Sequence, residues 1–268
     1  MGLVLVGCGK MGGAMLEGWI DQGVDKASIR IVEQSVEYGQ ALEKRLGVRV
    51  VEAIEKIEND FKCDIVILAV KPQGMDSAAE SCKRFGAETT FLSIAAGKTI
   101  SYFEGFFGAE ASIIRVMPNT PAAVRRGISV ACANANVSTA LKDQCTNLLL
   151  AIGEVAWVED EALMDPVTAV SGSGPAYVFY MTECLAKAGV ASGLSEVLAM
   201  QLARATVAGA GELMRQSSSD VATLRKNVTS PGGTTEAALK VLMNEGGLLP
   251  LMDEAVAAGT LKSKELGG

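Results

Sequence analysis

The chain has 268 residues, a formal net charge of −7 and no histidine. The missing imidazole excludes Ser-His-Asp and Cys-His catalysis and every zinc site that needs a histidine ligand, and no metal site is expected. The 31 acidic side chains outnumber 24 basic ones, which argues against a nucleic-acid partner. Six dispersed cysteines without a C-x-x-C pair read as reduced thiols. The longest apolar runs, such as Ile65 to Val70, are too short for a membrane span, and the start is too short for a signal segment. A soluble, cytoplasmic protein with no membrane partner is expected.

β-branched runs at Leu3–Val6, Ile29–Val32, Cys63–Val70, Thr89–Ile94, Ser112–Val116 and Ile128–Cys132 come first. Segments of helical spacing at Met15–Ile20, Val36–Leu46 and Thr139–Ile152 lie between several of them. This alternation predicts βαβ units and a doubly wound parallel sheet. From Leu163 to Leu266 no strand is expected. Ala, Leu and Met recur there at helical spacing, predicting helices near 164–189, 194–216, 234–246 and 248–264. The expected organisation is an α/β dinucleotide-binding domain over residues 1–160 and an all-helical domain over 161–268.

Gly7-Cys8-Gly9-Lys10-Met11-Gly12 follows the first strand and opens a helix near Gly12. Gly7 allows the tight turn, Gly9 the approach of a pyrophosphate, and Gly12 close helix–strand packing, which makes a Rossmann-type cofactor loop. The second strand ends at Glu33, spaced to accept the ribose hydroxyl of NAD and to repel a 2′-phosphate. NADH is therefore favoured over NADPH, although Gln34 and Ser35 can also hydrogen-bond a phosphate. Ala69-Val70-Lys71-Pro72 ends a further strand at the sheet's ligand-binding edge, where Lys71 is either a cofactor-side cation or an exposed loop lysine.

Three later stretches carry more than scaffolding. Met117-Pro118-Asn119-Thr120-Pro121 makes a stiff polar loop after a strand. Ser171-Gly172-Ser173-Gly174-Pro175-Ala176-Tyr177 interrupts a helical segment, either for close backbone approach or as a packing kink, and Pro175 suits a helix start. Thr229-Ser230-Pro231-Gly232-Gly233-Thr234-Thr235-Glu236 precedes an amphipathic helix and predicts an anion nest from the N–H groups of Gly233, Thr234 and Thr235. An ordinary threonine N-cap is the plainer alternative.

Taken in order, these motifs resemble the pyrroline-5-carboxylate reductase family nearly end to end. The resemblance implies reduction of the cyclic imine 1-pyrroline-5-carboxylate to L-proline by NAD(P)H. It implies a Rossmann domain plus a helical dimerisation domain, with homodimers that often assemble into decamers. The cofactor candidates are Gly7, Cys8, Gly9, Lys10, Met11, Gly12, Glu33, Gln34, Ala69, Val70, Lys71 and Pro72, of which Glu33 departs from the NADPH preference common in the family. Substrate falls at Gly232, Gly233, Thr234 and Thr235, with Asn227 and Glu161 lining the same site, and Thr235 is the catalytic candidate. Two other readings use the same first domain. A β-hydroxyacid dehydrogenase would need a helix lysine, for which Lys187 is the candidate. A non-catalytic dinucleotide sensor would leave the Gly232–Thr235 turn without a use.

Overall fold

The computed structural model describes residues 1–86 and 88–267. Leu3–Val6 forms β1, with all four side chains buried. It is followed by α1 (Lys10–Asp21), β2 (Ile29–Val32), α2 (Val36–Leu46), β3 (Arg49–Val51) and β4 (Ile65–Leu68). Next come α3 (Met75–Cys82), β5 (Thr90–Ser93), α4 (Ile100–Phe107), β6 (Ser112–Met117), β7 (Gly127–Ala133), α5 (Thr139–Leu150) and β8 (Gly153–Trp157). The strands among the described residues form one sheet, in the order β3-β2-β1-β4-β5-β6-β7-β8. Alternate residues of β1 enter two separate cores: Leu3 and Leu5 pack with Met15, Trp19 and Leu148, while Val4 and Val6 pack with Leu68, Phe91 and Phe103. Burial on both faces is why these strands read as unbroken apolar runs.

The doubly wound order is the one expected, with one departure. β7 pairs antiparallel with β6, and β8 then pairs parallel with β7. Residues 118–126 connect β6 to β7, and a parallel return would need a crossover of about a dozen residues or more. α1 begins at Lys10 instead of near Gly12. Strands β3 and β8 were not anticipated: β3 has three residues beginning with an exposed arginine, and β8 is half-exposed along its length.

By contact, the chain divides into Met1–Gly172 with the segment from Gly259 onward, and Ser173–Ala258. The break falls later than the expected 160/161 because residues 161–172 are tied to the sheet. Glu161 pairs with Arg115 of β6, and the Ser171 carbonyl accepts from Asn119 Nδ2 at 3.1 Å. This stretch holds α6 (Met164–Val167) and a π-helical turn over Thr168–Gly172 where one long helix was expected. The second unit carries α7 (Gly174–Ala191), α8 (Glu196–Gln216), α9 (Val221–Asn227) and α10 (Thr234–Leu242), and α11 (Leu248–Gly267) begins in it. Pro175 sits in the first turn of α7, as its fixed φ favours.

Candidate active site

The loop between β1 and α1 is shaped by sterics. Gly7 has φ +89°, and its N–H donates to the Val32 carbonyl at 2.9 Å, tying the turn to the end of β2. A Cβ on Gly12 would lie 2.5 Å from the Gly7 carbonyl oxygen, so only glycine lets α1 approach the turn. A Cβ on Gly9 would meet nothing within 4 Å, because that face is open to a ligand. Gly9 is also the N-cap of α1 and offers no side-chain cap, which leaves the first-turn amides of Lys10, Met11 and Gly12 to an incoming anion.

The loop opens on a cleft of about 610 Å³ that brings together Gly7, Cys8, Gly9, Glu33, Gln34, Ala69, Val70 and Lys71. Pro72 starts the short 3-10 turn that follows Lys71. Ser77, Ala78 and Ser81 of α3, and Glu52 to Glu55 after β3, also line the cleft. Sequence reading missed these residues because it recognised neither β3 nor α3. Glu33 does more than end a strand. Its Oε2 accepts from Cys8 N at 3.2 Å and its Oε1 from Ser35 N at 3.0 Å, so the carboxylate spans the mouth of the glycine loop. Burial, and next the nearby Glu33 charge, pushes the Cys8 thiol up to about 12. Cys8 therefore stays a neutral packing group and not a nucleophile. An open glycine cradle at a helix start, closed by a ribose-spaced carboxylate, fits a dinucleotide.

At the carboxyl end of β6, Asn119 Oδ1 accepts from Ile128 N at 2.9 Å, while its amide holds the Ser171 carbonyl. A Cβ on Gly172 would lie 2.5 Å from Met117 Cε. The Pro-Asn-Thr-Pro loop and the Ser-Gly turn are thus bound to each other, and the small residues serve close approach. Glu161 sits nearby with its Oε1 accepting from Arg115 Nη1 at 2.9 Å and from Ile100 N at 2.8 Å. Arg115 is buried, so the carboxylate expected to face substrate is neutralised by a fixed guanidinium on β6 and is also held by the first amide of α4.

In the second unit, Gly232 has φ +72° and Gly233 is the N-cap of α10, without any side-chain cap. The threonine N-cap is therefore not what the sequence builds. The expected nest needs one correction: Gly233 N donates to the Ser230 carbonyl at 3.0 Å, closing the turn, and is not free. Gly232 N donates to Glu236 Oε2 at 2.6 Å, an internal carboxylate already on the turn. Thr234 and Thr235 supply the first-turn amides, and Asn227 ends α9, exposed. Apolar side chains of this unit stand open, with Phe179 63% and Val197 81% exposed.

The family model described as pyrroline-5-carboxylate reductase dimerisation matches residues 161–266. A second, described as NADP oxidoreductase coenzyme F420-dependent, matches residues 2–97. The chain is 38% identical to a pyrroline-5-carboxylate reductase of Pseudomonas aeruginosa, over 98% of this chain and 96% of that protein. It superposes on a pyrroline-5-carboxylate reductase of Coxiella burnetii with TM-score 0.93 at 34% identity, covering 99% of this chain and 98% of that one. A Plasmodium falciparum pyrroline carboxylate reductase with NADP bound gives TM-score 0.82 at 32% identity, covering 100% and 98%. A glycine-loop cleft on this sheet, followed by a dimerisation domain, defines an NAD(P)-dependent oxidoreductase. Within that class, the chain belongs to the pyrroline-5-carboxylate reductase family. Among the described residues, no helix is long and apolar enough to cross a membrane.

Proposed function

We propose that this chain reduces 1-pyrroline-5-carboxylate to L-proline and takes NADH in preference to NADPH. The reading is carried by two helix starts of different kinds in one chain: the glycine cradle of α1, and the uncapped Thr234-Thr235 start of α10. The cleft residues named above would hold the dinucleotide, which when bound supplies the hydride that adds to the imine carbon. The first-turn amides of Thr234 and Thr235 receive the substrate carboxylate at the helix N-terminus, on the turn shaped by Gly232 and Gly233, and Asn227 borders the same turn. The Thr235 hydroxyl hydrogen-bonds the ring nitrogen. A hydroxyl holds its proton too tightly to serve as an acid, so its contribution is orientation and charge placement. None of these tasks requires imidazole.

The NADH preference rests on Glu33, whose carboxylate already spans the cleft mouth and would face a 2′-phosphate with like charge. The exposed apolar faces of α7 and α8 are where a second copy packs, and the decameric assembly of dimers is the larger form to look for. One kinetic series tests the reading. With pyrroline-5-carboxylate as substrate, kcat/KM should be higher with NADH than with NADPH. Thr235→Ala should lower kcat/KM about tenfold, the worth of one strong hydrogen bond, and leave NADH affinity unchanged. Unchanged kinetics in Thr235→Ala would remove its role, and an NADPH preference would overturn the Glu33 assignment.

A further inference from the structure

The loop between β5 and α4 leaves the carboxyl edge of the sheet beyond β4, on the side away from β2 and Glu33. A dinucleotide lies across that edge. With Glu33 taking the adenosine ribose, as proposed above, this loop belongs to the reacting half. Its shape is imposed from outside. Gly97 has φ +73°, and a Cβ there would lie 2.8 Å from the Leu266 carbonyl oxygen, so the last turn of α11 rests directly on the Gly97 backbone. Three residues earlier, Ser263 is buried and donates its Oγ to Asp165 Oδ1 at 2.7 Å. Glu161, one helical turn before Asp165, holds Ile100 N at the loop's other end. The last turn of α11 is thus fastened by a part-buried hydrogen bond to α6 and laid on a glycine that admits no side chain.

We propose that the C-terminal turn, Ser263 to Gly267, is a positioning element for the reaction, with Ser263 and Asp165 as the latch that fixes the Ala95–Lys98 loop. The latch makes no contact with substrate in this role; it acts through the loop.

The test uses the full chain and two readouts. In Ser263→Ala, amide hydrogen exchange over residues 94–99 should accelerate about tenfold, the equivalent of one net hydrogen bond, while residues 7–12 stay unchanged. The same variant should show a raised KM for pyrroline-5-carboxylate and a lowered kcat, with affinity for the probe 5′-AMP unaltered. Ser263→Thr, which keeps the hydroxyl, should restore both. Unchanged exchange at 94–99, acceleration spread equally over the first unit, or faster exchange with unaltered kinetic constants would each overturn the proposal. The kinetic arm rests on the proposed reaction and the exchange arm does not. Absence of turnover in the unaltered chain would defeat that reaction and leave exchange to decide the latch.

Discussion

Two glycine turns open helices in this chain, and they use glycine for different reasons. In the turn before α1 the constraint is space: a side chain on Gly12 would strike the Gly7 carbonyl, and Cys8 of the loop is buried in the core. In the turn before α10 the constraint is conformation: Gly232 needs φ +72°, yet a Cβ there would meet nothing within 4 Å. One turn is held rigid by its neighbours before any ligand arrives. The other is exposed and occupied by its own Glu236 carboxylate. Similar motifs therefore predict different tolerance: a packed turn fails when filled, whereas an open turn only becomes strained.

Substitution at the two glycines tests this contrast most directly. Gly12→Ala should cost about 3 kcal/mol in stability from overpacking against backbone. A displaced loop should weaken NADH binding by about a hundredfold, read by fluorescence titration beside a thermal melt. A normal titration curve would show that the packed turn yields as easily as the open one. Gly232→Ala should cost about 1–2 kcal/mol of left-handed strain. It should raise the KM for pyrroline-5-carboxylate about tenfold while NADH affinity holds, and a loss of NADH affinity would break the separation of roles.

The smallest effect concerns alkali. Cys8 stands in the packed turn with its thiol pushed up to about 12 from an ordinary 9.0, while the open turn has no thiol. A raised folded-state pKa means that the unfolded chain ionises first. The Cys8 contribution is thus intact below pH 9 and lost as pH climbs toward 12. Cys8→Ala should flatten the alkaline decline of folding stability by about 1.4 kcal/mol per pH unit in that window. An equal loss of unfolding free energy between about pH 9 and pH 11 in the unaltered chain and in Cys8→Ala, measured by denaturant titration, would contradict the burial of the thiol.

What could be read from sequence was whatever is local. β1, the glycine loop and α2 are encoded within a few residues of one another, and the N-cap Ser35 and C-cap Gly47 bound α2 where its apolar spacing predicts. β3 and β8 escaped because short or half-exposed edge strands carry little periodicity. The reversal at β7 follows from a connection too short for a crossover, a signal present in sequence but masked by the preceding parallel run. The partners of Glu161 lie 46 and 61 residues away, so its engagement by Arg115 and Ile100 is a product of the sheet and not of any motif. The closure of the Gly233 N–H onto Ser230 is hidden for a subtler reason: it depends on the backbone path and not on residue type.

The two tryptophans give the molecule a one-sided optical label. Trp19 is fully buried on α1, donating Nε1–H to the Leu148 carbonyl at 2.8 Å, and Trp157 ends β8, donating to Thr146 Oγ1 at 2.9 Å. Both indoles lie in the first unit, and the second carries Tyr177 and Tyr180 but no tryptophan. Indole emission therefore follows the cofactor-binding unit alone, while far-ultraviolet circular dichroism follows the helices of both. Differences between the two signals during unfolding separate the units without any added dye.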